Sequence, residues 1–221
     1  TSLFSSGYFQ IFNYLISIVL PISVSNTYLL LDSIAEQIKN LSRVPFYVNR
    51  PRFAQKFSES GVLSWQLVSR YMQFSHLTLL LGVLSFSIVG PHLLSLIGSK
   101  IEFNSILWFS LSVCAFFERL SAMHNQVYVI LKDAVISHIF MPITAFNSLV
   151  FLSAMYFCGI DYEYYPMAFA LSYLLSFYLW VSRKNYLLMN VGFWCFEVKT
   201  VALCFLYLLL GFCFHANRKL P

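Results

Sequence analysis

Four charged residues stand in Ser25–Val44, a stretch of helical length that is hydrophobic enough to be buried in a membrane. They are Asp32, Glu36, Lys39 and Arg43. At about 100° per residue on a helix, all four fall within an arc of about 60°. Ionisable side chains at membrane depth face a bundle interior or a water-filled path rather than lipid. This charged stripe is therefore a candidate functional site.

Two kinds of chemistry are available to the four charged side chains. Lys39 and Arg43 could hold phosphate oxygens, arginine through bidentate contacts and lysine through a compact charge. Asp32 and Glu36 stand one turn apart and would repel each other if both were ionised, so one of them could bind a proton or a sodium ion. The alternative is a static seam with Glu36 paired to Lys39 at i,i+3. Pairs at i,i+7 would then join Asp32 to Lys39 or Glu36 to Arg43.

A second polar stripe runs along the preceding apolar stretch, Phe4–Leu20. It consists of Ser6, Gln10, Asn13 and Ser17, at spacings i, i+4, i+7 and i+11. We expect it to share a hydrated cavity with the charged stripe, because two polar helix faces are least unfavourable when they turn away from lipid and towards each other. Gln10 and Asn13 then join Lys39 and Arg43 as candidate substrate contacts. Ordinary hydrogen bonding between helices is the alternative interpretation.

The composition excludes an ordinary soluble domain. Hydrophobic residues make up 59% of the 221 residues and charged residues only 10%, with a mean hydropathy of +0.71, whereas soluble domains carry about 25% charged residues. The net charge of +5 is modest, and we interpret it as loop asymmetry rather than as a nucleic-acid-binding surface. The predicted class is a polytopic membrane protein whose partners include membrane lipids and no nucleic acid.

The predicted fold is an all-α bundle of six transmembrane helices, with a possible seventh. Each span needs about 20 apolar residues, and the chain has room for six or seven of them. The domain plan is a six-helix bundle over residues 1–184 and an uncertain tail over 185–221, in which Val198–Phe214 is the possible seventh span. The six predicted spans are Phe4–Leu20, Ser25–Val44, Tyr71–Val89, Ser105–Leu120, Val135–Cys158 and Met167–Val181.

Proline, glycine and polar residues predict where these helices end. Pro45 should end the second span and Gly90-Pro91 the third. A polar joint, Asn125–Asp133, is expected after the fourth. Between the second and third spans, Tyr47–Arg70 fits an amphipathic helix in the lipid headgroup layer, with a solvated loop as the alternative.

The distribution of Lys and Arg predicts the sidedness of the bundle. One set of loops, Arg43–Arg70, Arg119–Lys132 and Arg183-Lys184, holds nine basic residues, whereas the opposite set holds only Lys100. The first set should be cytoplasmic by the positive-inside rule. Asp161–Tyr165 would then lie on the outer side.

No metal or other cofactor is predicted. The five cysteines lie in apolar runs without paired ligand spacing such as C-x-x-C, and we interpret them as core residues. His76 is interpreted as an interior histidine, because no second ligand stands at metal spacing on its helix.

Several stretches, in order along the chain, resemble a known transporter family. They are Thr27–Ala35, Val44-Pro45-Phe46 with Pro51-Arg52-Phe53, Gly90–Gly98, and Phe117–Ala134. Over about Ser5–Lys184, the chain resembles the C-terminal half of a bacterial polysaccharide or O-antigen flippase, in the superfamily of multidrug and oligosaccharidyl-lipid exporters. Asp32 and Glu36 are unusually acidic for this family, and the tail after Lys184 has no counterpart in it.

The resemblance implies a fold and a function. The fold is one half of a two-bundle transporter that works by alternating access in the bacterial inner membrane. The implied substrate is a polyprenyl-diphosphate-linked oligosaccharide, moved from the inner to the outer leaflet during polysaccharide or lipopolysaccharide biosynthesis. The chain starts at Thr1 without a signal peptide pattern, and we expect a missing N-terminal half or a partner subunit to supply the other helices.

Two other functions compete with transport. A membrane-embedded glycan polymerase or ligase would need catalytic groups gathered over an outward-facing site. The predicted outward loops are short and His92 is the only histidine near them, so we predict that the chain is not an enzyme. An accessory structural subunit, in which the charged stripe binds a partner helix, stays open.

Overall fold

The computed structural model describes residues 16–18, 20–96, 101, 103–132 and 137–192, together with Val201, Ala202, Phe205, Leu206 and Leu209. Every regular element in this part of the chain is helical, which confirms the all-α class there. The elements are α1 (Ile22–Tyr47), α2 (Arg50–Ser60), α3 (Trp65–Leu96), α4 (Ser105–Lys132), α5 (Ser137–Phe157), a 3₁₀ turn (Tyr162–Tyr164), α6 (Tyr165–Ser172), a π-helical segment (Tyr173–Tyr178) and α7 (Leu179–Leu188).

Four of the described helices are long and apolar enough to cross a membrane, which indicates a membrane protein. They are Trp65–Leu96, Ser105–Lys132, Ile139–Phe157 and the continuous helix Tyr162–Leu188. Helix α1 has 26 residues, a length of about 39 Å, but its charged residues set it apart from these four. Most of the predicted first span, with Gln10 and Asn13, lies outside the described residues, as does most of Val198–Phe214. Six spans therefore stay a prediction.

Two proline boundaries were predicted wrongly. Helix α1 continues past Pro45 to Tyr47, and α3 continues past Pro91 to Leu96. Proline within a helix costs about 3 kcal/mol through a lost hydrogen bond and a steric clash. Beyond each proline the chain buries an apolar side chain, Phe46 at 0% exposure and Leu94 at 7%. That burial offsets part of the cost and keeps the turn helical.

The predicted polar joint after the fourth span is also wrong, because α4 is helical through to Lys132. No glycine or proline interrupts Ser105–Lys132. Met123 and Val127, one turn apart, are both fully buried, so apolar packing extends into the segment that was interpreted as polar. All nine basic residues that were counted as loop residues lie within helices, Arg119 near the middle of α4, so the sidedness stays a prediction.

The segment between α1 and α3 contains the predicted amphipathic helix, here α2. Pro51 occupies its first turn, and Gly61 ends it with φ of +67°, a left-handed conformation that favours glycine. The one buried residue of α2 is Phe53, whose ring lies 5.5 Å from Phe46 and 5.6 Å from Tyr71. These rings hold α2 against the ends of α1 and α3.

Helix α4 is the centre of the bundle. It packs against α1, α3, α6, α7 and the π-helical segment, while α5 covers α6. Helix α1 packs most extensively against α3, at a close approach marked by Gly82. A Cβ atom at position 82 would lie only 2.5 Å from Cγ2 of Ile38, so the absence of a side chain lets the two helices meet. This packing turns one edge of α1 towards α4.

Candidate functional site

Helix α1 directs its charged stripe into the seam with α4. Its buried side chains recur every three or four residues: Ser25, Tyr28, Leu31, Ala35, Lys39, Ser42 and Phe46. Lys39 belongs to this buried row and is only 3% exposed. Asp32, Glu36 and Arg43 lie at the edge of the row and are partly buried. The helical period thus brings all four predicted charges to the border between the core and the surface.

The charges of α1 meet a carboxylate on α4 that the sequence analysis had not selected. The Lys39 ammonium group contacts the carboxylates of Glu36 and Glu118, with Nζ 2.5 Å from Oε2 of Glu118. Arg43 Nη2 lies 3.6 Å from Oε1 of Glu118. The Glu118 side chain is 13% exposed, so water screens these interactions only weakly. We call Glu36, Lys39, Arg43 and Glu118 the charged seam.

A small cavity lies beside the charged seam. Its volume is about 30 Å³, which is room for about one water molecule. The described residues that line it are Asp32, Ala35, Glu36, Lys39, Leu111, Cys114, Ala115 and Glu118. Three carboxylates and one ammonium group therefore surround a space large enough for a single water or a small cation.

The seam combines features of both sequence-based interpretations. The Glu36–Lys39 pair of the static alternative is present, whereas Arg43 pairs with Glu118 instead of Glu36. The hydrated cavity expected between the charged stripe and the stripe of the first span stays a prediction, because most of the second stripe lies outside the described residues. The binding roles of Asp32, Glu36, Lys39 and Arg43 stay predictions, and Gln10 and Asn13 lie outside the described residues.

Arg119 is a second charged residue that the sequence analysis missed. Its side chain is only 1% exposed, and Nη2 donates hydrogen bonds of 3.3 Å to the Ser42 carbonyl and to Ser75 Oγ. The guanidinium carbon lies 5.2 Å from the centroid of the Tyr47 ring. Within the described residues, Nε and Nη1 have no hydrogen-bond partner and no carboxylate lies within 4.0 Å. Burial of such a cation is costly, so Arg119 is a candidate functional residue.

The predicted fourth span, Ser105–Leu120, places Glu118 and Arg119 in its last turn. The sequence feature that could have placed them correctly is the absence of glycine and proline from Ser105–Lys132. Both residues lie near the middle of that stretch. Charges at the centre of an unbroken apolar helix indicate a buried partner on another helix.

A polar contact joins α4 to the last helix. Asn185 Nδ2 donates a 2.6 Å hydrogen bond to the His124 carbonyl and lies 3.4 Å from His124 Nδ1, and both side chains are fully buried. The rings of Tyr178 and Tyr186 pack against His124 at centroid distances of 5.7 and 5.8 Å. This contact holds α7 against the half of α4 that follows Arg119.

Histidine, cysteine and acidic residues show no metal-binding arrangement in the part of the chain that the structure describes. His76 is 3% exposed and packs 5.4 Å from the Phe116 ring. Its position within the core agrees with its interpretation as an interior histidine.

Comparison with protein-family models, curated proteins and solved structures found no match to this chain. Function is therefore inferred from the charged seam and its surroundings.

Proposed function

We propose that this chain is part of a membrane transporter that moves a polyprenyl-diphosphate-linked oligosaccharide from the inner to the outer leaflet of a bacterial inner membrane by alternating access. The observation that carries this proposal is the charged seam, in which a partly exposed arginine borders a buried ion-pair network. A diphosphate and a polar glycan cannot cross about 30 Å of hydrocarbon without a polar path.

Arg43 is the cation best placed to meet the diphosphate. Its side chain is 39% exposed, and its contact to Glu118 is long at 3.6 Å, so little is lost when it changes partner. It lies four residues before the end of α1, a distance of about 6 Å along the axis. The diphosphate of a lipid-linked substrate lies at the headgroup level, where the end of α1, which corresponds to the predicted second span, also lies in this proposal.

Lys39 has a different part in this proposal, although both cations were predicted to bind substrate. Two carboxylates hold it, and its side chain is 4% exposed. It can reach a phosphate only after Glu36 or Glu118 moves away. We therefore assign the first diphosphate contact to Arg43, and we assign to Lys39 the task of holding α1 against α4 until the substrate draws Arg43 away from Glu118.

The carboxylates Asp32 and Glu36 are the groups proposed to reset the transporter. Both line the small cavity beside the seam, where a proton or a sodium ion would neutralise part of their charge. Substitution by Asp32→Asn and Glu36→Gln should alter the dependence of translocation on pH or sodium more than it alters substrate binding.

The test is the leaflet distribution of the lipid-linked oligosaccharide in cells with and without this chain. Loss of a transporter leaves the substrate on the inner leaflet, where glycan-cleaving enzymes added to intact spheroplasts cannot reach it. Restoring the chain should return the substrate to the outer leaflet. An unchanged distribution would overturn the proposal, and a changed glycan length with a normal distribution would indicate the polymerase alternative.

An accessory structural subunit is a second candidate, favoured by the tight packing of Lys39 in the seam. In that case Lys39→Ala should disrupt assembly of the membrane complex, measured by native electrophoresis. Arg43→Ala should then leave both assembly and translocation unchanged. Loss of translocation in Arg43→Ala with intact assembly would exclude this candidate.

A further inference from the structure

The exposed residues of α1 between Ser23 and Asn40 are all polar, whereas Ile22, Leu41 and Val44 are exposed apolar residues on either side of that stretch. Asn26, Ser33, Gln37 and Asn40 are all exposed. At about 100° per residue they fall within an arc of about 60°, and no apolar residue shares that arc between residues 23 and 43. None of the four side chains forms a hydrogen bond with another described residue. We call these residues the amide row.

The neighbouring helix α3 shows what a lipid-facing surface looks like in this protein. Four of its exposed residues, Phe74, Leu77, Leu81 and Ile88, are apolar, with exposures of 45 to 56%, and the polar Gln73 and Ser85 are exposed among them. Amide groups turned towards hydrocarbon would cost several kcal/mol each if left without hydrogen bonds. The amide row therefore faces a polar environment, unlike the outer face of α3.

The amide row is continuous with the charged seam. Glu36 lies about 40° from Asn40 around the helix, and Arg43 lies less than one turn beyond Asn40 along it. A ligand that extends along α1 would thus place an anionic group at Arg43 and hydrogen-bonding groups on the row. A lipid-linked oligosaccharide carries its groups in this order, with a diphosphate at the lipid end and hydroxyl groups beyond it.

We propose that the amide row binds the hydroxyl groups of the glycan during translocation, an inference that rests on the proposed function. Asparagine and glutamine side chains both donate and accept hydrogen bonds, as hydroxyl groups do. The row spans Asn26 to Asn40, about 21 Å along the axis, which accommodates several sugar units. Uncharged amides give modest contacts of about 1 kcal/mol each, so a glycan can bind along the row and still be released.

The most direct experiment is photocrosslinking in cells that carry the complete transporter. Benzoylphenylalanine replaces Gln37, and the cells are labelled with tritiated glucosamine. We expect a labelled glycolipid adduct at this position, lost when synthesis of the lipid-linked oligosaccharide is blocked. The matched control places benzoylphenylalanine at Phe74 on the apolar face of α3, where an unlabelled phospholipid adduct is expected. A polypeptide or phospholipid adduct at position 37 would overturn the inference.

Substitutions provide a second measurement. Gln37→Leu and Asn40→Leu should each slow translocation by about fivefold, the value of one lost hydrogen bond. The control Gln66→Leu, exposed at the start of α3, should leave the rate unchanged. The translocation rate could be unchanged in Gln37→Leu and Asn40→Leu while removal of the whole chain still traps the substrate on the inner leaflet. That result would refute glycan binding by the amide row and leave the proposed function standing. If the leaflet distribution is the same with and without the chain, both the role of the amide row and the proposed function are refuted.

Discussion

Lys39 and Arg119 are buried cations whose side chains meet the same interface between α1 and α4, but their partners differ. Lys39 contacts two carboxylates, whereas Arg119 contacts a carbonyl, a hydroxyl and an aromatic ring. Removing one partner of a buried ion pair leaves an uncompensated charge, while removing an unpaired buried charge relieves a cost. Substitutions at the two positions should therefore have opposite effects on stability.

Replacing Arg119 by methionine should stabilise the protein and impair transport. Methionine fills a similar volume without a buried charge, so the cost of removing the guanidinium group from water is no longer incurred. The thermal unfolding midpoint of the purified protein should rise, while translocation falls. Arg183→Met, at an exposed position, is the matched control and should change neither. A lower unfolding midpoint in Arg119→Met would show that the hydrogen bonds and ring contact of the native Arg119 outweigh the cost of burying its charge.

Replacing Lys39 by methionine should destabilise the protein by up to about 3 kcal/mol, because the mostly buried Glu118 then loses its nearest cation, while Glu36, at 38% exposure, is partly solvated. The expected result is a lower unfolding midpoint and reduced abundance in the membrane. Glu36→Gln and Glu118→Gln in the same chain should restore most of that loss. The exposed Lys132→Met serves as control. If Lys39→Met alone is as stable as the native protein, the charged seam does not hold α1 against α4.

At the residue scale, the sequence was sufficient to find the charged residues that α1 contributes to the seam, but not the carboxylate that α4 contributes. Helical periodicity placed Asp32, Glu36, Lys39 and Arg43 on one arc, and the structure brings that arc to an interface. Glu118 stands 79 residues from Lys39, and no local pattern indicates a partner at that separation. Arg119 was misplaced because its helix was predicted to end one residue later.

At the scale of elements, the contact between α1 and α3 depends on Gly82. Gly82→Ala should destabilise the bundle by about 1–3 kcal/mol, because the added Cβ lies 2.5 Å from Cγ2 of Ile38. The effect should be smaller in an Ile38→Ala background, where the clashing atom is absent. Unfolding midpoints of the four proteins in this cycle measure the coupling. An equal cost of Gly82→Ala in both backgrounds would contradict the predicted clash.

The helix boundaries show why local signals were insufficient. Pro45 and Pro91 carry a strong helix-ending signal, but burial of Phe46 and Leu94 keeps each helix intact for a further stretch. Polar residues beyond Leu120 suggested a joint, whereas Met123 and Val127 continue the buried face of α4. Tertiary packing determines where each of these helices ends, and a local sequence pattern does not show tertiary packing directly.

At the scale of the whole molecule, the sidedness of the bundle can be tested independently of its function. Ser58 lies on α2 and Tyr162 at the start of the last helix. With the native cysteines replaced, an impermeant maleimide should label Tyr162→Cys in intact cells and Ser58→Cys only after lysis, because basic segments stay cytoplasmic. Labelling of position 58 alone in intact cells would show that the orientation of the bundle is opposite to the predicted one.

Composition favoured a membrane protein, because 59% hydrophobic and only 10% charged residues are unusual for a soluble domain. It could not count the spans, since α1 combines the length of a span with the charges of a soluble helix. The arrangement around α4 depends on contacts such as His124 with Asn185, which join residues 61 positions apart. The resemblance to a flippase stays a prediction, because the two-bundle transporter that it implies includes helices beyond those of this chain.

The leaflet distribution of the lipid-linked oligosaccharide in cells carrying Arg43→Gln tests the central claim most directly. Arg43 is the exposed edge of the charged seam, and glutamine keeps its polarity without its charge. At normal membrane abundance, we predict that Arg43→Gln leaves the substrate on the inner leaflet, while the exposed control Arg70→Gln distributes it normally. Normal translocation in Arg43→Gln would contradict the assignment of the diphosphate to the seam.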